Sequence, residues 1–203
     1  MKKVILSFFM LSFSFLSASD YDYNWTHDHP ILIEYVKKNK ESIKDWTPLK
    51  VKYSKKYHDF IYDTLKKEGV PKEIIILAAI ESGFRTNVKS QAQAVGMWQF
   101  LESTGKEWGL KITENKDERN NWKKSTIAAA RYIKWMAEKK FDGNYEMAIL
   151  AYNAGIGNIQ KMMEKYQTND PWVLIGSGEL NKESTEFLPK FLSYLHYYYY
   201  LIK

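Results

Sequence analysis

Between Pro71 and Gly83 the chain carries an apolar run, Ile74, Ile75, Ile76, Leu77, Ala78, Ala79 and Ile80, that ends in one carboxylate, Glu81. Proline suits the first turn of a helix and glycine its end, so the run reads as a short helix with no polar face. A helix of that kind has no side to turn to water and must be surrounded, which commits the rest of the chain to covering it. Glu81, tethered to this run, is poorly hydrated. That disfavours its charged form and raises its pKa toward the range in which it can give up a proton near neutrality. Read alone, a glutamate at such a place is equally a solvated or paired surface carboxylate, and its meaning depends on the residues around it.

The covering material is helical. Asp28 or His29 with Pro30 opens a segment to about Asp45, and Pro48 to Tyr53 reads as a connector. Tyr57, Phe60, Ile61, Thr64 and Leu65 then recur at helical spacing until Gly69. Ser103 can cap a short helix to about Trp108, a long one runs from Ser125 to near Asp142, and Asn144 can cap the next. That helix breaks at Gly155 and Gly157, a further one follows from Asn158 to Lys165, and a last one runs from Glu183 to Leu201 with Pro189 in its first two turns. No run alternates strictly enough for a strand. The expected fold is mostly α, one helical domain with at most a small β-hairpin around Lys111 to Thr113.

At the N-terminus, Lys2 and Lys3 precede 13 uncharged residues, Val4 to Leu16, and the small residues Ser17, Ala18 and Ser19 come before Asp20. This pattern predicts a secretory signal peptide over residues 1–19, cleaved after Ser19 or Ala18, and it is too short for a spanning helix of about 20 residues. An extended, mobile arm follows, and residues 20–69 form an arm and helices ahead of the main helical region at 70–203. The chain has no cysteine, so a lipid-accepting cysteine and a disulfide framework are both excluded and the expected place is the periplasm, with no membrane span after cleavage. The formal charge is +6, and losing Lys2 and Lys3 leaves +4, too modest and too dispersed for a nucleic-acid partner. No H-E-x-x-H, phosphate loop or dinucleotide fingerprint is present, and His27, His29, His58 and His196 are not grouped as ligands, so neither a metal nor a cofactor is expected.

Four spaced segments carry the chemistry: Glu81-Ser82-Gly83-Phe84, then Ser90 followed by Gly96-Met97-Trp98-Gln99-Phe100, then LAYNAGIGNI at 150–159, then KESTEFLPK at 182–190. Each has a plain reading. Ser90 suits a turn, Gln99 a cap or a solvated face, Asn153 a helix end before Gly155, and Glu183 a first-turn acid. The Tyr-rich end, Tyr194 and Tyr197 to Tyr200, reads as packing.

In this order and spacing the segments resemble the catalytic region of lytic transglycosylases with the goose-lysozyme-like fold, most nearly the membrane-bound D-type branch. The chain differs from that pattern at Gln93, Leu101, Glu102, Ser184 and Phe187. The resemblance covers about residues 70–192. It implies a lysozyme-like helical domain acting on peptidoglycan glycan strands, with Glu81 as the sole catalytic acid/base and Ser90, Gln99, Tyr152, Asn153 and Glu183 supporting the site or holding substrate. Glu183 is then expected buried against the groove, near the Tyr152 hydroxyl and groups around Ser90. The implied reaction cleaves between N-acetylmuramic acid and N-acetylglucosamine without water and leaves a 1,6-anhydromuramyl end. A goose-type hydrolase using the same acid, and a wall-binding scaffold without turnover, are the alternatives.

Overall fold

The computed structural model describes residues 22–202, with backbone alone for 47–54 and 198–202; the expected signal peptide lies outside the described residues. Nine α-helices and one two-stranded hairpin are present among them. Helix α1, Pro30–Ser54, starts where expected: His29 caps it by accepting a hydrogen bond from the Ile31 amide, and Pro30 takes the first position. It does not stop near Asp45. The backbone stays helical through Pro48, so the expected connector at 48–53 belongs to the helix.

Helix α2, His58–Glu68, buries Ile61, Thr64 and Leu65 and ends at Gly69 in the left-handed conformation. A 3-10 turn, Lys72–Ile74, leads into α3, Ile75–Ser82, the apolar helix around which the chain is arranged. Ile74 to Ala79 are at most 1% exposed, as a helix without a polar face requires. Then come α4, Glu102–Glu107, capped at Leu101 with Ser103 already inside it, and the hairpin β1, Ile112–Thr113, with β2, Lys116–Asp117. Helix α5, Trp122–Lys140, begins ahead of Ser125 because the Asn121 side chain caps it.

Asn144 caps α6, Tyr145–Ala154, accepting from the Met147 amide at 3.0 Å. Gly155 separates it from α7, Ile156–Tyr166, which contains Gly157. The sequence reading has no counterpart for α8, Pro171–Gly176, although Asp170 caps it and Pro171 opens it. Helix α9, Lys182–Ile202, keeps Pro189 inside its second turn. It packs along α1 and against α6 and α3, while α5 packs on α2 and α6. The two apolar helices α3 and α6 thus sit at the centre, and their C-terminal ends bring the acid and the LAYNAG segment together.

The arm at 22–29 is extended but far from mobile. Trp25 is 1% exposed, its ring 5.2 Å from that of Phe191. Thr26 donates to the buried Glu146 carboxylate through both its amide, at 2.6 Å, and its hydroxyl, at 3.0 Å. Asp22 meets Lys72 at 2.9 Å. An indole too large to leave in water, inserted between helices, turns a polar tail into part of the core.

Candidate active site

Glu81 lies in the last turn of α3. Gly83 takes a φ of 62°, donating back to the Ala78 and Ala79 carbonyls, and Phe84 follows with a φ of 61°. Two successive left-handed residues turn the chain sharply away, so Glu81 projects from the helix end instead of continuing into it. The glutamate is half-buried by surface, yet its carboxyl is closely surrounded. Burial pushes it up to about 8, Lys190 pulls it down, and Glu183 pushes it further up. No side chain among the described residues donates a hydrogen bond to it, which leaves the carboxyl available to a substrate.

The loop after α3 forms the adjoining wall. Ser90 closes its turn: its amide donates to the Ala94 carbonyl at 2.9 Å, and its hydroxyl accepts from the Ala94 amide at 3.0 Å. Gln99 sits at a φ of 49° and its side-chain amide donates to the carbonyls of Gly96, at 2.8 Å, and Val88, at 3.3 Å. Both side chains therefore hold the shape of the loop, and neither is hydrogen-bonded to Glu81. Gly96 permits a close crossing. At a φ of 85° its missing Cβ would stand 2.0 Å from the Arg119 carbonyl oxygen.

Three helices pin the segment that follows. Ser82, beside the acid, donates its hydroxyl to the Met97 carbonyl at 2.8 Å; the Tyr152 hydroxyl donates to the Trp98 carbonyl at 2.5 Å; and the buried Trp98 indole donates to Thr126 at 2.9 Å. From outside, Arg119 donates to the Gln93 and Phe100 carbonyls while its guanidinium is fixed by Asp117. These bonds satisfy the Met97, Trp98 and Gln93 carbonyls and the Trp98 indole, and give the Phe100 carbonyl a second donor beside the Val95 amide, as a loop buried beside a site requires.

Tyr152 faces Glu81. Burial raises its phenol well above the ordinary value, with the charges of Glu81 and Tyr132 adding to it, so it remains a neutral donor. Asn153 is turned the other way. Its carbonyl oxygen accepts from the Ser184 hydroxyl at 2.7 Å and its amide donates to Glu183 at 3.2 Å, fastening the start of α9 to the end of α6. Glu183 is exposed, contrary to the expectation of burial. Its partner is Asn153, because the Tyr152 hydroxyl is already committed to the Trp98 carbonyl. Glu183 still lies close enough to act on Glu81 electrostatically.

Of the six residues singled out by sequence, the fold brings Tyr152 and Glu183 each within electrostatic reach of Glu81, links Asn153 to Glu183, and places Ser90 and Gln99 in the neighbouring loop. Ser82, Gly96, Trp98, Arg119 and Lys190 complete the site and were not singled out. The glycine had a visible signal, lying inside the same segment as Gln99; nothing local marks Arg119. Among the described residues no group of three or more His, Asp or Glu stands together to hold a metal, and no helix is long and apolar enough to cross a membrane.

The model of one protein family, described as the transglycosylase SLT domain, matches residues 59–175. Membrane-bound lytic murein transglycosylase D of Escherichia coli (strain K12) is 34% identical over 137 residues, which is 68% of this chain and 30% of that protein. Peptidoglycan transglycosylase gp16 of Escherichia phage T7 is 35% identical over 111 residues, 54% of this chain and 8% of that one. The chain thus spans under a third of the length of these relatives. Among solved structures, the 70 kDa soluble lytic transglycosylase of Escherichia coli superposes with a TM-score of 0.63 at 19% identity, covering 72% of this chain and 24% of that one. The lytic transglycosylase Slt of Pseudomonas aeruginosa, in an inactive mutant, gives 0.59 at 20% identity, covering 71% and 24%. At such identities the likeness is one of fold.

Proposed function

The chain belongs to the transglycosylase SLT domain family, and on that premise we propose that it is an exported peptidoglycan lytic transglycosylase with Glu81 as its single acid and base. The observation that carries this reading is the Glu81 carboxyl itself, desolvated to a pKa of about 8 and free of hydrogen bonds at the end of a buried helix. Such a group is protonated at neutral pH and, once ionised, takes a proton back readily.

In the proposed reaction Glu81 protonates the oxygen that joins C1 of N-acetylmuramic acid to C4 of N-acetylglucosamine, and the C1–O bond breaks. The muramyl C6 hydroxyl then closes on C1, passing its proton to the Glu81 carboxylate. The new C1–O6 bond makes the 1,6-anhydromuramyl end, and the acid is restored without water being consumed. One carboxylate is enough because the nucleophile comes from the substrate, unlike glycosidases that work with two. Glu183, exposed and held by Asn153, supports the charge of the site and is not a second catalyst. Ser82, Gln99 and Tyr152 keep the loop wall in register with the acid, a contribution of positioning. Residues 70–203 form the catalytic region of this reading, 20–69 the arm and helices that pack on it, and cleavage after Ser19 would release the protein to the periplasm.

Mass spectrometry of the fragments released from purified wall tests the product. Muropeptides with anhydromuramyl ends, absent with Glu81→Gln, are the expected result. Reducing ends would show that water is the nucleophile, as in a goose-type hydrolase, and no release would leave a wall-binding role. Sequencing the N-terminus of the protein recovered from the periplasm tests export, and is expected to read from Asp20 or Ser19.

A further inference from the structure

Between the loop that follows α3 and the segment that begins in β2 lies a cavity of about 290 Å³ to which the proposed reaction gives no role. That is near the lower end of the volumes in which proteins hold small ligands, roughly 300–1,000 Å³, room for an amino-acid-sized group and not for a length of glycan strand. Its back is rigid. Val95 is buried, and its backbone bridges both Lys89 and Phe100. Arg119, also buried, donates to Asp117 through Nε, at 2.9 Å, and Nη2, at 2.7 Å, while Nη1 donates to the Gln93 and Phe100 carbonyls. Those bonds engage all its N–H groups except one on Nη2. At the rim stand Asn87, Lys89 and Asn120, all exposed. None of these three side chains makes a hydrogen bond or an ion pair among the described residues, whereas Lys116 and Lys124 are both paired with Glu118.

Asp117 is matched by Arg119, so the net charge of the lining is that of Lys89. An inorganic anion would meet that charge and leave both carboxamides idle, and an uncharged sugar would leave the ammonium idle. A carboxylate with an amide beside it engages them all. We propose that the cavity holds the carboxylate end of an acylated amino acid or short peptide, with Lys89 and Arg119 on the carboxylate and Asn87 and Asn120 on the adjoining amide. The source of such a ligand rests on the chain acting on peptidoglycan: peptides of this chemistry are carried by the muramyl residues and are also set free when the wall is degraded. The loop connects the cavity to the acid. Val88, between Asn87 and Lys89, accepts at its carbonyl from the Gln99 side chain, at 3.3 Å, and from the Gly96 amide, at 2.9 Å. A ligand seated against Asn87 and Lys89 therefore braces the wall beside Glu81.

The test is an amide NMR titration of the full chain with N-acetyl-alanine, which has both the carboxylate and the amide, and with N-acetyl-alaninamide, which lacks the charge. Saturable shifts at 87–89, Val95 and 117–120 are expected with the first, and binding about tenfold weaker with the second. Lys89→Gln should weaken the acid by a similar factor and Lys89→Arg should keep it. The rim side chains are exposed and unbonded, so these variants keep the fold, which the unchanged remainder of their spectra verifies. No saturable shift at these residues, equal binding of the two probes, or unaltered binding in Lys89→Gln overturns the proposal. Digestion rates on whole wall and on glycan stripped of its peptides then separate the two sources. A ratio above one that falls toward one in Lys89→Gln assigns the ligand to peptides on the strand; a wild-type ratio of one alongside probe binding assigns it to freed peptides, and either upholds the site. The titration needs no turnover, so reducing ends from the wild type would overturn the proposed product and leave this site standing.

Discussion

Glu81 is held in a state that works against the stability of the fold. Its carboxyl stays protonated in the folded chain up to about pH 8, whereas in the unfolded chain it ionises near 4.3. The folded protein therefore binds the extra proton between those values, so the group's favourable contribution is complete below about pH 4 and is lost as pH rises through 8. Glu81→Gln should consequently melt higher than wild type at pH 8.5 and alike at pH 4, in calorimetric scans at both, while muropeptide release falls by at least about 10²-fold, the lower end of what general acid–base catalysis supplies. Gly96 is the complementary case, a residue whose effect is entirely steric. A methyl group there meets the Arg119 carbonyl at 2.0 Å, so Gly96→Ala is expected to displace the loop that carries Gln99, with a large loss of activity and a lowered melting temperature. The poor hydration of Glu81 was legible in the sequence because it follows directly from an apolar run. Ser90 as a turn residue was legible too, but the role of Gln99 was not, because which carbonyl a side chain reaches depends on a loop path fixed by Ser82, Tyr152 and Arg119, residues far apart along the chain.

Among the elements, helix ends were the most legible, Gly69 as a stop and Asn144 as a start. Gly69 and Asn144 act through local backbone conformation and local hydrogen bonds, and both appear where the sequence places them. The hairpin at Ile112–Thr113 also falls where turn residues surround it. Helix α1 was misread because Pro48 is a strong local breaker, whereas the observed helix continues through it with α9 packed alongside; tertiary support outweighed a local penalty of about 3 kcal/mol. At the start of α9, Asn153 bridges Glu183 and Ser184 and so sets how that helix meets α6. Glu183→Ala removes an exposed carboxylate, so its melting temperature is expected to stay close to that of wild type while activity falls less than in Glu81→Gln. Asn153→Ala should reduce activity further than Glu183→Ala, since it also unfastens Ser184. Parallel denaturation curves and wall-digestion rates for the two variants check this ordering.

For the molecule as a whole, burial of ionisable groups sets the response to acid. His196, packed 4.8 Å from His27, is pushed down to about 3 by burial first and by the neighbouring His27 second. Unfolded, a histidine takes its proton near 6.5, so between 6.5 and 3 the unfolded chain binds more protons and stability falls as pH falls, by up to about 1.4 kcal/mol per pH unit. The drop in denaturant midpoint between pH 6.5 and 4 should therefore be smaller in His196→Phe than in wild type. The arm is as much a part of the core as any helix. Trp25→Ala is expected to cost about 3–5 kcal/mol, measured by chemical denaturation, since it empties a site enclosed on all sides. Because Trp25 rests against Phe191 and His27 against His196, the arm finds its place only when α9 has arrived. A chain made or threaded from its N-terminus thus cannot seat Trp25 before the segment around Phe191 has emerged, so this part of the core closes late, at a rate set by contacts between distant parts of the sequence.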